Sequence, residues 1–284
     1  MIESYLLEHL VVFSEHRTLS ETASVLHLTQ PTLTRSMNKL EETFGVPLFT
    51  REKKRIRLNE NGWMAARYAK EILREEEKMI AQVKALDRRR RTITVGSCAP
   101  GPMMELVPFL TDAFTGMTVS TEIKPEKELL AGLADHTYQF VILNHPSDDA
   151  AHYSEPCGLE HLCACLPPSH KRAYDTSIRF DELNGENFLM MKNVGVWSPI
   201  VRGKMPNSKF RMQDDQESFR EVVEHSLLPS FSTDISLRVV GNYGDRLSVP
   251  FSDPEAEMNF YCVCLAGDET KYKTWFEILR RKMG

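Results

Sequence analysis

Gln30, Thr34, Arg35 and Asn38 present amide, hydroxyl and guanidinium groups over little more than two helical turns. Groups of that kind can read the hydrogen-bonding edges of base pairs, and Pro31 beside them can touch a thymine methyl or the sugar-phosphate backbone. Shortly after come Arg51, Lys53, Lys54, Arg55 and Arg57, opposed by Glu52 alone. That cation density is costly without an anionic partner, and phosphate is the obvious one. Cysteine is the other reactive residue here. Cys98 lies in the run "VGSCAPG", where a helix N-terminus would lower a thiol pKa. With His145 as a base it could act as a nucleophile, although no motif ties the two together. Cys163-x-Cys165 and Cys262-x-Cys264 each point a thiol pair to one face of a strand. Core packing, oxidant sensing and a thiolate metal site are all open to them, with packing the favoured reading, because a buried free cysteine behaves as a small hydrophobe.

The first set needs a scaffold, and local signals supply it. Thr29 can cap a helix whose first turn holds Pro31, where a missing N–H costs nothing. Leu33, Met37, Leu40 and Phe44 follow one helical face, and Gly45 is a natural stop. Arg35 and Asn38 then project opposite, Thr34 from the flank and Gln30 from the open N-terminal end. Upstream, Ser20 is expected to start a shorter helix through Leu26, and Leu6, Leu10 and Phe13 stripe a first one. Two helices joined by a tight turn after a third make a helix-turn-helix pattern. The period then changes to two short strand-like runs, 48–51 and 55–58, around Glu52-Lys53-Lys54. This is a basic hairpin able to act as a wing on phosphates or a minor groove.

The chain of 284 residues can hold this small domain and one or two α/β units. Residues 1–91 carry 17 Lys and Arg against 13 Asp and Glu, net +4, and the remainder carries 18 against 27, net −9. A basic front on an acidic rear suits a nucleic-acid-binding domain attached to something else. No apolar run approaches the ~20 residues that span a bilayer, so no membrane association and a cytoplasmic location are expected. Between the two parts, Ala65, Ala69, Ile72, Met79, Val83 and Leu86 form a heptad-like stripe interrupted by Glu76, which reads as a dimer seam on a long helix. Strands and helices alternate behind it, which predicts an α/β fold with parallel strands. The strands are placed at 92–96, 119–123, 140–143, 188–191, 209–212 and 259–265.

The run "LSETASVLHLTQPTLTRSMNKLEETFGVPLFTREKKRIRLNENG", residues 19–62, resembles the LysR-type transcriptional regulators. Thr22-Ala23, Thr29-Gln30-Pro31, Leu33-Thr34-Arg35, Leu40-Glu41 and Gly45-Val46-Pro47-Leu48-Phe49 carry the likeness. The resemblance implies a winged helix-turn-helix DNA-binding domain over 1–59 and a dimerising linker helix with hinge over 60–91. An effector-binding regulatory domain would follow over 92–284. That domain would comprise two Rossmann-like subdomains of periplasmic-binding-protein type, the first about 92–161 with 266–284 and the second about 162–265. It also implies a homodimer assembling to a homotetramer on inverted-repeat double-stranded DNA, a small-molecule effector, no cofactor, no metal and no catalysis. A DNA-binding regulator whose rear domain only oligomerises, or senses redox state through cysteines, is the alternative. DNA contacts are expected from Thr29, Gln30, Pro31, Thr34, Arg35, Asn38, Arg51, Lys53 and Lys54. Effector contacts are expected from Ser97, Cys98, Pro100, Asn144, His145, Asn193 and Trp197, all near strand carboxyl ends. Three departures stand out. Cys98 and Pro100 replace a common hydroxyl, which weakens any expectation of a carboxylate effector. Gln139 replaces an Asp. Glu224-His225-Ser226 replaces a Gly-rich approach to "LLP" and is expected to reshape the pocket.

Overall fold

The computed structural model describes residues 2–52, 55–88 and 91–283, in two compact units, 1–84 and 85–284. In the first unit, helices α1 (Ser4–His16), α2 (Leu19–Val25) and α3 (Gln30–Phe44) precede strands β1 (Phe49–Glu52) and β2 (Arg55–Leu58) and helix α4 (Glu60–Arg88). Leu6, Leu10, Phe13, Leu33, Met37 and Leu40 close its core, with Phe13 edge-on to Phe49. Thr29 caps α3 by accepting from the Thr32 N–H, and Gly45 ends it at φ +68° with its N–H on the Glu41 carbonyl. For α2 the cap is Thr18 rather than Ser20: Thr18 Oγ1 accepts from the Glu21 N–H and donates to the Glu21 carboxylate. That reciprocal pair satisfies an orphan donor that Ser20, already inside the helix, cannot reach.

The stripe on α4 divides in two. Ala65 and Ala69, with Ala66, are buried in the core of the first unit. They are therefore unavailable to a partner, contrary to the expectation of one continuous seam. Ile72, Met79, Val83 and Leu86 remain 51–64 % exposed. Small alanines let α4 lie close on its own domain, and the larger apolar residues begin a turn beyond it.

The second unit runs β3 (Thr92–Ser97), α5 (Pro100–Ala113), β4 (Thr118–Ile123), α6 (Glu126–Ala134), β5 (Phe140–Leu143), β6 (His152–Leu166), α7 (Phe180–Leu183), β7 (Asn187–Met191), α8 (Trp197–Lys204), β8 (Lys209–Gln213), α9 (Gln216–His225), β9 (Ser230–Thr233), α10 (Asp234–Val240), β10 (Leu247–Pro250), β11 (Glu257–Leu265) and α11 (Lys273–Met283). The sheet order is β4-β3-β5-β11-β6-β9-β7-β8, with β10 also on β6. Neighbours within β4-β3-β5 and within β9-β7-β8 are parallel, whereas β11 and β6 are antiparallel. Residues 152–161 of β6 pair with β11 and residues 162–165 with β9, so one long strand passes from the first parallel cluster to the second. Gln139 works as a local clamp: its side-chain oxygen accepts from the Thr94 N–H at 2.6 Å while its own N–H donates to the Thr94 carbonyl. An amide thus ties β5 to β3 where a carboxylate was the expected residue.

This register also separates the cysteine pairs. Cys262 and Cys264 stand opposite Glu155 and Tyr153, whereas Cys163 and Cys165 stand opposite Ser232 and Ser230. Eight residues of extended strand between Glu155 and Cys163 span roughly 26 Å, so the four thiolates cannot share one ion. All six cysteines are free and buried.

Candidate nucleic-acid interface and effector cleft

On the first unit, Thr29, Gln30, Pro31, Arg35 and Asn38 are exposed along α3. Thr34 is half-buried, and its hydroxyl donates to the Gln30 carbonyl at 2.9 Å. That bond steadies the first turn and leaves the Thr34 oxygen lone pairs and methyl for a partner. The structure brings Arg51 to Asn38: one guanidinium nitrogen donates to Asn38 Oδ1 at 2.6 Å and to Glu41 Oε2 at 3.1 Å. The other Arg51 donors are left to reach phosphate. Glu41 is the joint between helix and wing, because its Oε1 also accepts from the Leu48 and Phe49 N–H groups at 2.8 and 3.0 Å. In the sequence Glu41 stands out only as part of the Leu40-Glu41 pattern, and its place on the helix gives no hint that it turns back to the start of β1. Lys53 and Lys54 lie outside the described residues.

On the second unit a cavity of about 230 Å³ opens between the start of α5, β6, β7, α8, α9 and β9. It is slightly smaller than the ~300 Å³ of a drug-sized site and fits a small metabolite. Of the expected effector residues, Pro100, Asn193 and Trp197 line it. Ser97, Cys98, Asn144 and His145 do not. Ser97 is fully buried, its hydroxyl donating to the Ala99 carbonyl and accepting from the Ala99 N–H within the turn. His145 sits on the outer surface with its ring nitrogens on the Pro146 carbonyl and Glu126, and Asn144 precedes it on the same loop. Each follows a strand end, as expected, yet neither is among the residues that line the cavity.

Cys98 is corrected most sharply. Its side chain is 2 % exposed and belongs to the apolar core. Burial pushes its thiol up to about 12, which outweighs any help from the helix terminus. What Cys98 offers the cleft is its carbonyl, which accepts from the Val196 N–H at 2.9 Å and so seats the loop carrying Asn193 and Trp197. Burial likewise raises the thiols of Cys157, Cys163, Cys262 and Cys264. Iodoacetamide on native protein at pH 8 should therefore label Cys98 no faster than the strand cysteines, and all six mainly after unfolding, since only thiolate reacts. Timed peptide mass spectrometry checks this; labelling of Cys98 within minutes would put it back at a solvent-open site.

The residue missed from sequence is Glu160. It lines the cavity, is 1 % exposed, and its Oε2 accepts from Trp197 Nε1 at 3.0 Å. Burial raises its carboxyl pKa, opposed by hydrogen bonds from Thr233 and Trp197. A usable signal existed: Glu160 shares a strand face with Leu162, Ala164 and Leu166, all buried, so an acid there has to point inward. The remaining walls are mainly Met104, Met190, Phe219, Phe231 and Tyr243.

Comparison with known proteins follows the same division. Residues 5–63 match the bacterial regulatory helix-turn-helix family of lysR type, and residues 85–284 match the LysR substrate binding domain. A hydrogen peroxide-inducible genes activator of Haemophilus influenzae is 23 % identical over 259 residues, covering 88 % of this chain and 86 % of that protein. One from Dickeya chrysanthemi is 26 % identical over 191 residues, 66 % of this chain, and the chain spans only 63 % of its length. In fold, the chain is similar to a full-length OxyR variant of Pseudomonas aeruginosa, with a TM-score of 0.54 at 20 % identity over 99 % of this chain and 95 % of that one. It is also similar to full-length CbnR in complex with its target DNA, with a TM-score of 0.50 at 17 % identity over 99 % of both chains. With both family domains matched in order over nearly all of its length, this chain belongs to the LysR family of DNA-binding transcriptional regulators.

Proposed function

We propose that this regulator binds an inverted-repeat operator as a homodimer assembling to a homotetramer, and that a small molecule in the cleft of the second unit modulates its DNA affinity or bending. The observation that carries the reading is the pairing of an exposed polar face on α3 with a partly open, mainly apolar cavity in a separate unit. Gln30, Thr34 and Arg35 read bases or adjacent phosphates; Thr29, Pro31, Asn38, Arg51, Lys53 and Lys54 position the helix and wing. Residues 1–59 act as the DNA-binding domain, 60–91 as linker and 92–284 as the regulatory domain. Residues 92–161 with 266–284 then make one subdomain and 162–265 the other. Dimerisation runs through the exposed Ile72, Met79, Val83 and Leu86 of α4, apolar side chains at the spacing a partner helix requires. No helix among the described residues is long and apolar enough to cross a membrane.

Catalysis and peroxide sensing fit less well. The relatives that match are transcription regulators, and His145, with both ring nitrogens occupied, is no base for the buried Cys98. Peroxide belongs to the names of those relatives, whereas this chain keeps all six thiols buried.

The reading is tested at Arg35. If its guanidinium holds a guanine edge, Arg35→Ala should weaken binding to the selected operator by ~1–3 kcal/mol, roughly 5- to 150-fold, and change binding to random DNA little. Operator selection followed by titration at fixed salt measures both. Equal losses on both DNAs would make Arg35 a phosphate anchor, and no loss on either would remove α3 as the reading helix.

A further inference from the structure

The start of α5 looks like an anion seat but is built against one. Ala99 gives its N–H to Ser97 Oγ, and Pro100 and Pro102 have none. The Glu160 carboxylate lies against Gly101: a Cβ added there would be 1.9 Å from Glu160 Oε1. An incoming carboxylate at this turn would lie against the Glu160 carboxylate. No Lys, Arg or His is among the residues lining the cavity. Arg238, on the neighbouring α10, is committed to Asp234 and Glu105. Glu160 therefore accepts from Trp197 Nε1 but has no counter-ion among the described residues. The rings of Trp197, Phe219, Phe231 and Tyr243 line the same cavity; aromatic faces favour positive charge, and that of Tyr243 already carries the Arg220 guanidinium 5.4 Å from its centroid.

We propose that the cleft takes a small ring-bearing amine, its ammonium held by the Glu160 carboxylate and its ring by the aromatic walls. A cation supplies the partner that the fold omits, and a charge-assisted hydrogen bond to a buried carboxylate is stronger than a neutral one. Glycine at 101 leaves room for the carboxylate against the helix start, and the two prolines bring no N–H to it. This inference rests on the cleft being the effector site, and the test separates the two.

Matched sets such as 2-phenylethylamine, 2-phenylethanol and phenylacetate, with larger ring homologues, are titrated into the full chain by calorimetry and thermal shift. The amine of a set should bind at least about tenfold tighter than its alcohol, the factor expected of charge assistance, and the acid should not bind. Glu160→Gln should reduce the amine preference to about twofold or less while keeping the alcohol. Trp197→Phe, which keeps a ring but removes one donor from Glu160, should retain the amine preference and covers the case in which the Gln variant does not fold. Binding of alcohols or acids as tightly as amines overturns the amine assignment and leaves the cleft intact. An amine preference that survives in Glu160→Gln overturns the role of Glu160. Absence of binding by every member of every set overturns both the amine assignment and the cleft as an effector site.

Discussion

Arg246→Met should lower the stability of the second unit by on the order of 3–5 kcal/mol. Arg246 is 2 % exposed and has no carboxylate partner among the described residues. Its charge is held by carbonyls instead: Nη1 donates to Val223 and Ser226 at 2.9 and 3.0 Å, and Nη2 to Cys165 and Leu228 at 2.8 and 2.5 Å. Val223 is in the last turn of α9, whose carbonyls carry the negative end of the helix dipole. Methionine fills much of the volume but removes the guanidinium donor from four carbonyls, of which Val223 still accepts from the Ser226 N–H, and a buried acceptor left unsatisfied costs ~1–3 kcal/mol before relaxation. Arg246→Lys should recover only part, because an ammonium is a point donor that cannot fork across four oxygens. Urea denaturation with near-ultraviolet detection measures both. A loss under about 1 kcal/mol for the methionine variant would mean that water satisfies the cluster. Here too lies the outcome of the Glu224-His225-Ser226 departure: the chain around it is pinned by one arginine, whose own Nε is buried without a hydrogen-bond partner among the described residues.

Gly195→Ala should cost roughly 2–5 kcal/mol and remove ligand binding while the unliganded protein still binds DNA. Gly195 has φ +58°, a conformation unfavourable to any side chain. An added Cβ would also fall 1.8 Å from the Cys98 carbonyl oxygen, and that contact is with backbone. The loop must lift, breaking the bond from the Val196 N–H to the same carbonyl and carrying Asn193 and Trp197 away from the cleft. Thermal midpoints with and without the amine probe, set beside operator titration, read the two effects separately. A variant with unchanged midpoint and unchanged ligand shift would show that the Cys98–Gly195 approach does not hold the cleft.

The sequence by itself determined the elements whose signals are local. Thr29, Pro31, the spacing of Leu33, Met37 and Leu40, and Gly45 specify α3, because capping, periodicity and the left-handed stop act within a few residues. The strands from Thr92–Ser97 to Phe140–Leu143 were legible for the same reason, as apolar β-branched runs between helices of clear period. Only the tertiary structure decided the cleft. The four-residue β9 and β10 draw their hydrogen bonds from β6, far away in sequence, so nothing local marks them. Glu160, Phe219, Phe231 and Tyr243 meet only after strand register is set. Local reasoning even gave the wrong sign at Cys98: proximity to a helix start would lower its pKa, and the core closing over it raised it instead. Desolvation depends on what the whole chain packs around a group, which no window of neighbouring residues contains.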